Sequence, residues 1–540
     1  MKATSVVFSI LAALGSIAAV AQNLPHFQHV VLVIQENRTP DNLFGASPST
    51  AHCGVSYPFE AGVDIQDGGP DYFRNGADRC LMAQHLDTCW DVGHFHTHWN
   101  TQADIDTNAN PPQAKMDKAC QTQIYPESPG CLPPTDCPQY SFVQQSDVQP
   151  YFDIATNYGF ANYMFQTNEG PSYPAHQFLL GGTSAPTYPL DANNYYQYFV
   201  SENGYASCDT GAAGAGTDWA DFTGADISPL YDFKDCFDHA TLVDLLDTHG
   251  VTWRYYSPKP GSIWTAVNSI LHLCYSDLNI HQGQPCNTYD WVHNMVFAPI
   301  TNSSVPVITD IQTCQLQGVS WVIPDGRWSD HAGQNLGLGP SYVADIVDAI
   351  GQSGCTDTLG TQSYTYWQDT AIFILWDDWG GWYDHVPPPP NMLLRQFHGP
   401  QDCNPSQKWG CGYTYGFRVP LLVVSAYTPA GYVSGSIAHG GPGMNPPYIH
   451  DFGSILRFIE NNFGLGYINS SGAPGYADFN APDNVPPSFL PLADFFPGPY
   501  RNFTYIQPAA GLGPDYFTGY FNNPQNQGQT PEGPDGDDAD

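Results

Sequence analysis

Basic residues are scarce in this chain of 540 residues, which has 15 Lys and Arg against 52 Asp and Glu. The formal net charge of −37 argues against nucleic acid and against strongly anionic membrane surfaces as partners, because both would repel the chain. Charged residues make up only 12% of the sequence, whereas 42% is hydrophobic. That content is sufficient for a core, and the length suffices for one large or two ordinary domains.

Long apolar runs are lacking after residue 21, so no later stretch is expected to cross a bilayer. Residues 1–21 themselves have the features of a signal peptide. Lys2 supplies the positive start, the segment from Val6 to Val20 is apolar and small, and Ala19-Val20-Ala21 fits the cleavage pattern. We therefore expect a mature protein that begins at Gln22 and is exported to the periplasm or the exterior.

Closely spaced C-x-x-C repeats are also lacking among the 14 cysteines, which argues against a structural zinc site. An even number of cysteines in an exported chain instead predicts disulfides. Plausible local pairs are Cys403–Cys411 and Cys274–Cys286, and a Cys208–Cys236 pair would close a longer loop. The spacing alone does not fix the connectivity.

Two short apolar runs are present, Val30 to Ile34 and Ala371 to Leu375, and each predicts a buried central strand. Glu36-Asn37 follows the first run and Asp377-Asp378 follows the second. If the strands are parallel, both ends lie at the sheet edge where ligands bind, and four oxygen donors can converge. Adjacent carboxylates repel each other unless a cation lies between them, so this pattern indicates a metal site.

Each oxygen pair also has a simpler interpretation. Asp377-Asp378 could form a polar turn in which one Asp caps a helix. Glu36-Asn37 could lie in a solvated loop with Asn37 as an N-cap, and Asn37-Arg38-Thr39 matches a glycosylation sequon. The metal site is favoured because two separate strand ends offer the same kind of ligand.

The remaining pattern alternates strands with helices, which predicts an α/β fold with a mainly parallel central sheet between helices. The predicted segments are helices at Gln149–Tyr163, Pro174–Leu180 and Phe452–Phe463, a helix, turn and strand over Phe237–Tyr256, and strands at Ser320–Pro324 and Val419–Ser425. A long irregular insertion covers Ser47–Pro138. Residues 22–500 are expected to form the catalytic domain, and residues 501–540 a Gly/Pro/Asn-rich, acidic tail.

Ser172 and a group of histidines are the other candidates for chemistry. Gly170-Pro171 forms a turn that places Ser172 before a helix, which suits a nucleophile but, from this segment alone, favours an ordinary N-cap. In D-V-G-H-F-H-T-H-W the alternate residues His94, His96 and His98 would share one face of a strand. Three interpretations of this segment remain open: a zinc cluster, a loop that supplies one His to the site, and a polar surface loop. For two of the three His the surface loop is favoured.

Three longer motifs resemble the phosphoesterase family that contains bacterial phospholipases C and a branch of acid phosphatases. They are E-N-R-x-x-D-x-x-F-G, G-P-S-x-P-A-H and D-D-x-G-G-x-Y-D-H-V-P-P. The resemblance covers roughly Phe27 to Leu465 and includes S-W-V-I-P-D, S-D-H and Y-G-F-R-V-P. It implies an alkaline-phosphatase-like α/β core with long loop insertions.

Carried over residue by residue, the resemblance implies a complete catalytic set. One divalent metal ion would be held by Glu36, Asn37, Asp377 and Asp378. Ser172 would be the nucleophile, at a position where many phospholipases carry Thr and the acid phosphatase branch carries Ser. Three histidines would bind phosphate oxygens or protonate the leaving group: His94 after Asp91, His331 in S-D-H and His385 after Tyr383-Asp384.

The function implied is a secreted, metal-dependent hydrolase of phosphoric esters, phospholipase C-like, that acts through a phosphoserine. Its substrate would be a phospholipid or another phosphate ester, and an acid phosphatase is the alternative. A sulfatase-like hydrolase ranks lower because Ser172-Tyr173-Pro174-Ala175-His176 lacks the Arg of the C/S-x-P-x-R pattern. A non-catalytic, metal-stabilised secreted binding protein is the rival from another functional class.

Overall fold

The computed structural model of the chain describes residues 25–51, 53–54, 57–184, 198–201, 208–209, 217–220, 236, 238–260, 262, 264–281, 283–297, 305–333, 337–356, 362–390, 413–440, 448–468, 476–485 and 489–509. The predicted signal peptide and the predicted Cys403–Cys411 pair lie outside these residues. No helix in the described ranges has both the length and the apolar character that a membrane span requires.

The largest sheet among the described residues has eight strands. They are β1 His29–Gln35, β2 Gly159–Ala161, β3 Trp253–Ser257, β4 Met295–Phe297, β5 Val319–Val322, β6 Thr370–Trp376, β7 Leu421–Ser425 and β8 Tyr432–Ser434. Their spatial order is β4-β3-β5-β1-β6-β7-β2-β8. The central position of β1 and β6 agrees with their apolar sequences, and all seven residues of β6 are buried.

Most neighbouring strands in this sheet are parallel, which confirms the predicted sheet type. β1 pairs in parallel with β5 on one side and with β6 on the other. The exception is β7, which runs antiparallel to both β6 and β2. Short strands outside this sheet are Gly68–Pro70, Asp78–Cys80, Met82–Gln84, Trp90–Val92, Ile105–Asp106, Gln113–Ala114, Ile124–Pro126, Ser141–Val143, Met164–Phe165, Tyr198–Ser201, Thr217–Ala220, Cys355–Thr356, Ser363–Tyr364 and His450–Asp451.

Helices cover both faces of the sheet. They are α1 Pro40–Phe44, α2 His96–Ala103, α3 Gln145–Asn157, α4 Ser172–Gly181, α5 Leu242–His249, α6 Leu271–Cys274, α7 Tyr289–Asn294, α8 Pro306–Gln312, α9 Gly339–Gly351, α10 Phe452–Phe463 and α11 Ala477–Asn480. Phe373 of β6 contacts Phe458 of α10, whereas Trp376 contacts Tyr151 of α3. Because side chains three residues apart on a strand point to opposite faces, α10 and α3 lie on opposite sides of the sheet. The sheet is therefore sandwiched between helices, as predicted.

Two predicted segments differ from the structure. The helix expected at Gln149–Tyr163 begins at Gln145, ends at Asn157 and contains Pro150. Val148, with φ −112° and ψ 17°, departs from helical geometry just before the proline, whose ring cannot follow a regular turn. Gly159, expected to close this helix, instead begins β2.

The second difference concerns the alternating histidines. The strand there ends at Val92, and α2 begins at His96, so the three rings do not share a strand face. The alternating pattern of this segment is short, and a short pattern alone does not distinguish a strand from a helix or a loop. The arrangement in which all three rings would share one strand face is therefore not present.

Six disulfides connect the described cysteines, and they include the predicted pairs Cys274–Cys286 and Cys208–Cys236. The others are Cys53–Cys80, Cys89–Cys131, Cys120–Cys137 and Cys314–Cys355. Three of them lie within the predicted insertion at Ser47–Pro138. They hold short strands that would have little apolar core of their own.

Candidate active site at the edge of the sheet

The two predicted oxygen pairs lie side by side because β1 and β6 are adjacent and parallel. Gln35 is the register partner of Trp376, so Glu36 and Asp377 leave the sheet together. The Asp377 amide donates to Gln35 O at 3.0 Å, and the Asn37 amide donates to Asp377 Oδ1 at 3.1 Å. The parallel pairing therefore brings two segments about 340 residues apart in sequence into one site.

The backbone at this edge adopts conformations that fit its residues. Asn37 has φ 59°, a left-handed value that Asn tolerates better than most residues. Gly380 has φ 60°, and a Cβ there would lie 2.3 Å from Asn37 O. Its amide donates to Asp378 Oδ1 at 2.7 Å. Only glycine allows the loop after β6 to approach the loop after β1 this closely.

The simpler interpretations of Asn37 are not supported. Thr39, rather than Asn37, caps α1, because its side chain accepts from the Asn42 amide. Asn37 is fully buried, so the sequon is inaccessible to glycosylation in the folded chain. Glu36, Asp377 and Asp378 are also fully buried, which excludes a solvated loop.

Ser172 is brought to these side chains by α4. Its Oγ lies 3.1 Å from Asp378 Oδ2 and 3.4 Å from both Glu36 Oε2 and Asn37 Oδ1. Pro171 occupies the N-cap position, and Ser172 is the first residue of the helix. The N-cap interpretation of Ser172 was therefore wrong, and its hydroxyl faces the predicted metal ligands.

The turn before Ser172 is fixed by side-chain amides. Asn168 Nδ2 donates to Gly170 O at 2.8 Å, and Gln166 Nε2 donates to the same oxygen at 3.1 Å. Gln166 Oε1 accepts from the Trp379 amide at 3.1 Å. This network ties the turn to the loop after β6, so Ser172 and the carboxylates are held by one rigid unit.

The buried carboxylates require positive charge. Burial and the neighbouring charge of Asp377 raise the pKa of Asp378 to about 8. Burial also opposes ionisation of Asp377, but the polar groups around it, first among them His176, hold its pKa well below the usual range. The pair would thus share one proton, and within the described part of the chain no Lys or Arg forms an ion pair with either residue. A divalent cation fits this donor set, because it would allow both groups to ionise.

His94 is the histidine of the alternating group that contacts a predicted ligand. Its Nδ1 donates to Val92 O at 2.6 Å, and its Nε2 accepts from Asn37 Nδ2 at 3.2 Å. The second bond turns Asn37 Oδ1 towards Ser172. Burial opposes a charged ring, but Asp91 and Asp378 outweigh it and raise the pKa of His94 above its ordinary value.

The other two histidines of this group have structural contacts. His96 is buried, with Nδ1 3.2 Å from Glu169 O and Nε2 2.9 Å from Asn100 Nδ2, so it is not a surface residue. His98 Nδ1 accepts from the Phe95 amide at 3.2 Å at the start of α2. Burial, with a smaller effect of His94, lowers the pKa of His98 to about 4. The three rings do not converge on a zinc site.

His331 lies beside His94, with ring centroids 5.8 Å apart. His331 Nδ1 donates to Ala332 O at 2.6 Å, which places the lone pair of the neutral ring on Nε2. One ligand atom each from Asp91, His94 and His331 lies within 4.8 Å of the others. These residues form a second buried polar group next to the oxygen donors.

His385 belongs to a different buried cluster. Its Nδ1 lies 2.7 Å from Asp41 Oδ2, and its Nε2 lies 3.1 Å from Asp64 Oδ1. Arg418 pairs with Asp41 and Asp384 in the same cluster. Burial opposes the charge, but the two carboxylates outweigh it and raise the pKa of His385 to about 9. A catalytic role for His385 stays a prediction, since both ring nitrogens contact this cluster.

The sequence reasoning missed His176. Its Nε2 lies 3.4 Å from Asp377 Oδ2 and 3.8 Å from Glu36 Oε1. His176 follows Ser172 by four residues, so both face the carboxylates from one side of α4. That spacing, S-Y-P-A-H at a helix start, was the signal in the sequence.

The sequence is similar to one known protein family and to several characterised proteins. A model of the Phosphoesterase family matches residues 27–466. Hemolytic phospholipase C of Pseudomonas aeruginosa is 23% identical over 472 residues, which are 81% of this chain and 53% of that protein. Phospholipase C B of Mycobacterium tuberculosis is 26% identical over 262 residues, 46% of this chain and 44% of that protein. The chain spans about half the length of the curated relatives it matches.

Among solved structures, the crystal structure of Ps i-CgsB in complex with k-i-k-neocarrahexaose aligns with 62% of this chain and 70% of that chain. The TM-score is 0.30 and the sequence identity is 9%, which is too low to establish a shared fold.

Proposed function

The chain belongs to the Phosphoesterase family, and on that premise we propose that it is a metal-dependent hydrolase of phosphoric esters, phospholipase C-like, with Ser172 as its nucleophile. The observation that supports this best is the position of the Ser172 hydroxyl, which lies 3.1 to 3.4 Å from three predicted metal ligands. A hydroxyl held there is suited to attack a phosphorus atom.

Glu36, Asn37, Asp377 and Asp378 would hold one divalent ion. When bound, such an ion lowers the pKa of the serine hydroxyl and stabilises negative charge on phosphate oxygens. The protein's own contribution is positioning: Gln166 and Asn168 fix the turn before Ser172, and Asn37 is oriented by His94. The N-terminus of α4 adds backbone N–H groups that favour an anion.

The reaction would proceed in two displacements. Ser172 Oγ releases its proton to solvent and bonds to phosphorus, the bond from phosphorus to the ester oxygen breaks, and the departing oxygen takes a proton from His94 or His331. Water then attacks the phosphorus of the phosphoserine and gives a proton to the same imidazole, while the bond from phosphorus to Ser172 Oγ breaks. Ser172 Oγ is thereby restored to the state in which it attacked, and the phosphate product is released. The two rings are neighbours, with centroids 5.8 Å apart, so both are candidates for this role.

We expect an alkaline-phosphatase-like arrangement of the core and export of the mature chain, to the periplasm or beyond. The family match, six disulfides and the leader-like segment 1–21 support these expectations. Its substrate would be a phospholipid or another phosphate ester.

A phosphomonoesterase of the same family is the second candidate. Ser172 favours it, because the resemblance associates Ser at this position with the acid phosphatase branch and Thr with many phospholipases. Both candidates use the same nucleophile, so the geometry around Ser172 does not separate them.

A substrate panel tests the proposal. Purified protein would be assayed on phosphatidylcholine, p-nitrophenyl phosphate and p-nitrophenyl phosphocholine, each with and without a chelator. Chelator-sensitive cleavage of the two choline esters supports the phospholipase C-like activity, and cleavage of the simple monoester alone supports the phosphatase. Absence of turnover on all three substrates by the metal-loaded protein would contradict both and favour a binding protein.

A further inference from the structure

His176 is buried in the site without a hydrogen bond to its ring. It is 1% exposed, and neither Nδ1 nor Nε2 makes a hydrogen bond with the described residues. Leaving a buried imidazole without hydrogen-bond partners costs free energy. Some other interaction must therefore account for the position of this ring.

The contacts of His176 are too long for a strong ion pair. Its Nε2 lies 3.4 Å from Asp377 Oδ2 and 3.8 Å from Glu36 Oε1. A charge-assisted hydrogen bond would be about 2.7 to 2.9 Å long. Two ligands bound at ~2.1 Å to one ion, in contrast, can lie up to ~4.2 Å apart. Both distances fall within that limit.

The hydrogen bonds of Asp377 agree with this geometry. Asp377 Oδ1 accepts from the Asn37 and Asp378 amides at 3.1 and 2.8 Å, which fixes the carboxylate plane. Its Oδ2 accepts no hydrogen bond from the described residues and faces His176. The hydrogen bonds of Oδ1 thus orient the carboxylate, and they leave Oδ2 3.4 Å from His176 Nε2.

We propose that His176 Nε2 is a nitrogen ligand of the catalytic metal ion and that it gives this site a preference for zinc-like transition metals over Mg²⁺ and Ca²⁺. The inference rests on the proposed metal-dependent function. Oxygen donors alone suit Mg²⁺ and Ca²⁺, whereas an imidazole added to carboxylates suits Zn²⁺ and iron. His176 lies one turn of α4 after Ser172, so a single helix would deliver both the nucleophile and the ligand.

The test is metal binding by the full chain without substrate. His176→Gln keeps an amide of similar reach, and His176→Asn is the second variant in case the first folds poorly. His450→Gln is the matched control, because His450 is a buried histidine whose nitrogens bond Asp483 and Ser434 instead. Affinities for Zn²⁺ and Mg²⁺ would be measured by competition with a chelator, and circular dichroism would verify folding.

The expected result is a loss of Zn²⁺ affinity of at least about tenfold in either folded His176 variant, with Mg²⁺ affinity changed by less than about threefold. Pulsed EPR of the Mn²⁺-loaded wild type should show nitrogen coupling that changes on ¹⁵N-histidine labelling, and this coupling should disappear in the His176 variants only. Nitrogen coupling that persists in them, or is absent from the wild type, would overturn the proposal. So would an unchanged ratio of Zn²⁺ to Mg²⁺ affinity.

The outcomes separate this inference from the proposed function. Wild-type protein that hydrolyses the panel but shows no histidine coupling would retain the function and reject His176 as a ligand. Nitrogen coupling in a protein that hydrolyses no phosphate ester would retain the ligand and reject the function. A wild type that binds none of the three ions would reject both.

Discussion

At the scale of the residue, the orientation of the predicted metal ligands depends on hydrogen bonds from residues that are not themselves predicted ligands. Asn37 illustrates this: His94 binds its amide nitrogen, so its oxygen faces Ser172. Asp378 is oriented by the Gly380 amide at 2.7 Å. Each of these groups therefore has one defined orientation.

Ser172→Ala should abolish turnover while leaving metal binding intact. We expect activity to fall by several orders of magnitude, because nucleophile and ligands act as a unit. The free energy of unfolding should change by about 1 kcal/mol or less, since Ser172 caps no helix. Ser172→Thr should retain some activity.

Asp378→Ala is the matched comparison, and it should lose both turnover and bound metal. Elemental analysis of the dialysed proteins, together with acid-quench mapping of phosphate on Ser172, would measure these effects. Ser341→Ala, a buried serine on α9, is the control. Near-normal turnover in Ser172→Ala would mean that the nucleophile has been misassigned.

His385→Gln should destabilise the protein more at acidic than at basic pH. The folded-state pKa of His385 is raised to about 9, so its charged form stabilises the fold fully below the unfolded pKa, near 6.5, and this contribution is lost as pH rises through about 9. The shift corresponds to roughly 3 kcal/mol at most. Denaturant unfolding of wild type and variant at about pH 6 and about pH 10 measures the difference.

The exposed His439 provides the control for this measurement, since His439→Gln removes no buried ion pair. A difference between wild type and His385→Gln that is the same at both pH values would contradict the interpretation. It would show that His385 contributes by packing alone.

At the scale of the element, the histidine that contacts Asn37 comes from the insertion rather than from the sheet. His94 is anchored by Val92 O at the end of the short strand Trp90–Val92. That strand pairs antiparallel with Ile124–Pro126. The disulfide Cys89–Cys131 joins the two segments just outside this pairing. The strand that anchors His94 is therefore joined to its neighbour by a covalent bond as well as by backbone pairing.

Cys89→Ser combined with Cys131→Ser should reduce turnover more than metal binding. Without the bond the strand loosens, and we expect kcat to fall at least about tenfold, as for partial loss of general acid–base catalysis. Metal affinity should change by less than about threefold, because the oxygen ligands lie on the sheet edge. Kinetics and metal titration of the same preparation measure both quantities.

The matched control removes Cys274–Cys286, a disulfide whose loop carries none of the site residues. We expect this second double variant to lose stability without a selective loss of kcat. Equal kinetic effects of the two double variants would show that Cys89–Cys131 supports the fold only.

At the scale of the whole molecule, the covalent framework is extensive. The six disulfides in the described residues use twelve of the 14 cysteines. Such a framework forms and persists in oxidising compartments. The central strands of the large sheet are stabilised by their buried apolar side chains. None of the six disulfides lies in these strands; they connect loops and peripheral elements.

Thiol titration of the denatured, unreduced protein should detect at most two reactive thiols, and reduction should raise the number to 14. Ellman's reagent in guanidinium chloride is the measurement. Protein produced in an oxidising compartment is the sample, and protein produced in a reducing cytosol is the comparison. Fourteen thiols in the first sample would refute both the disulfides and the expected export.

The sequence by itself determined the parts that depend on local pattern. The apolar runs predicted β1 and β6, and the polar residues that follow them predicted Glu36, Asn37, Asp377 and Asp378 as one group. Parallel pairing was sufficient to bring them together, because adjacent, buried parallel strands have their carboxyl ends at the same edge of the sheet. α10 was predicted with its bounds, Phe452–Phe463, because its apolar spacing and flanking Gly464 are strong local signals.

Only the tertiary structure decided which side chains meet these ligands. His94, His96 and His98 look equivalent in the sequence, yet the chain turns from strand to helix between Val92 and His96, and one ring alone reaches Asn37. His176 approaches the carboxylates because α4 packs against the sheet edge, and His385 instead joins Asp41 and Asp64. Local pattern cannot fix such contacts, because they depend on segments far apart in sequence whose approach is set by packing of the whole core.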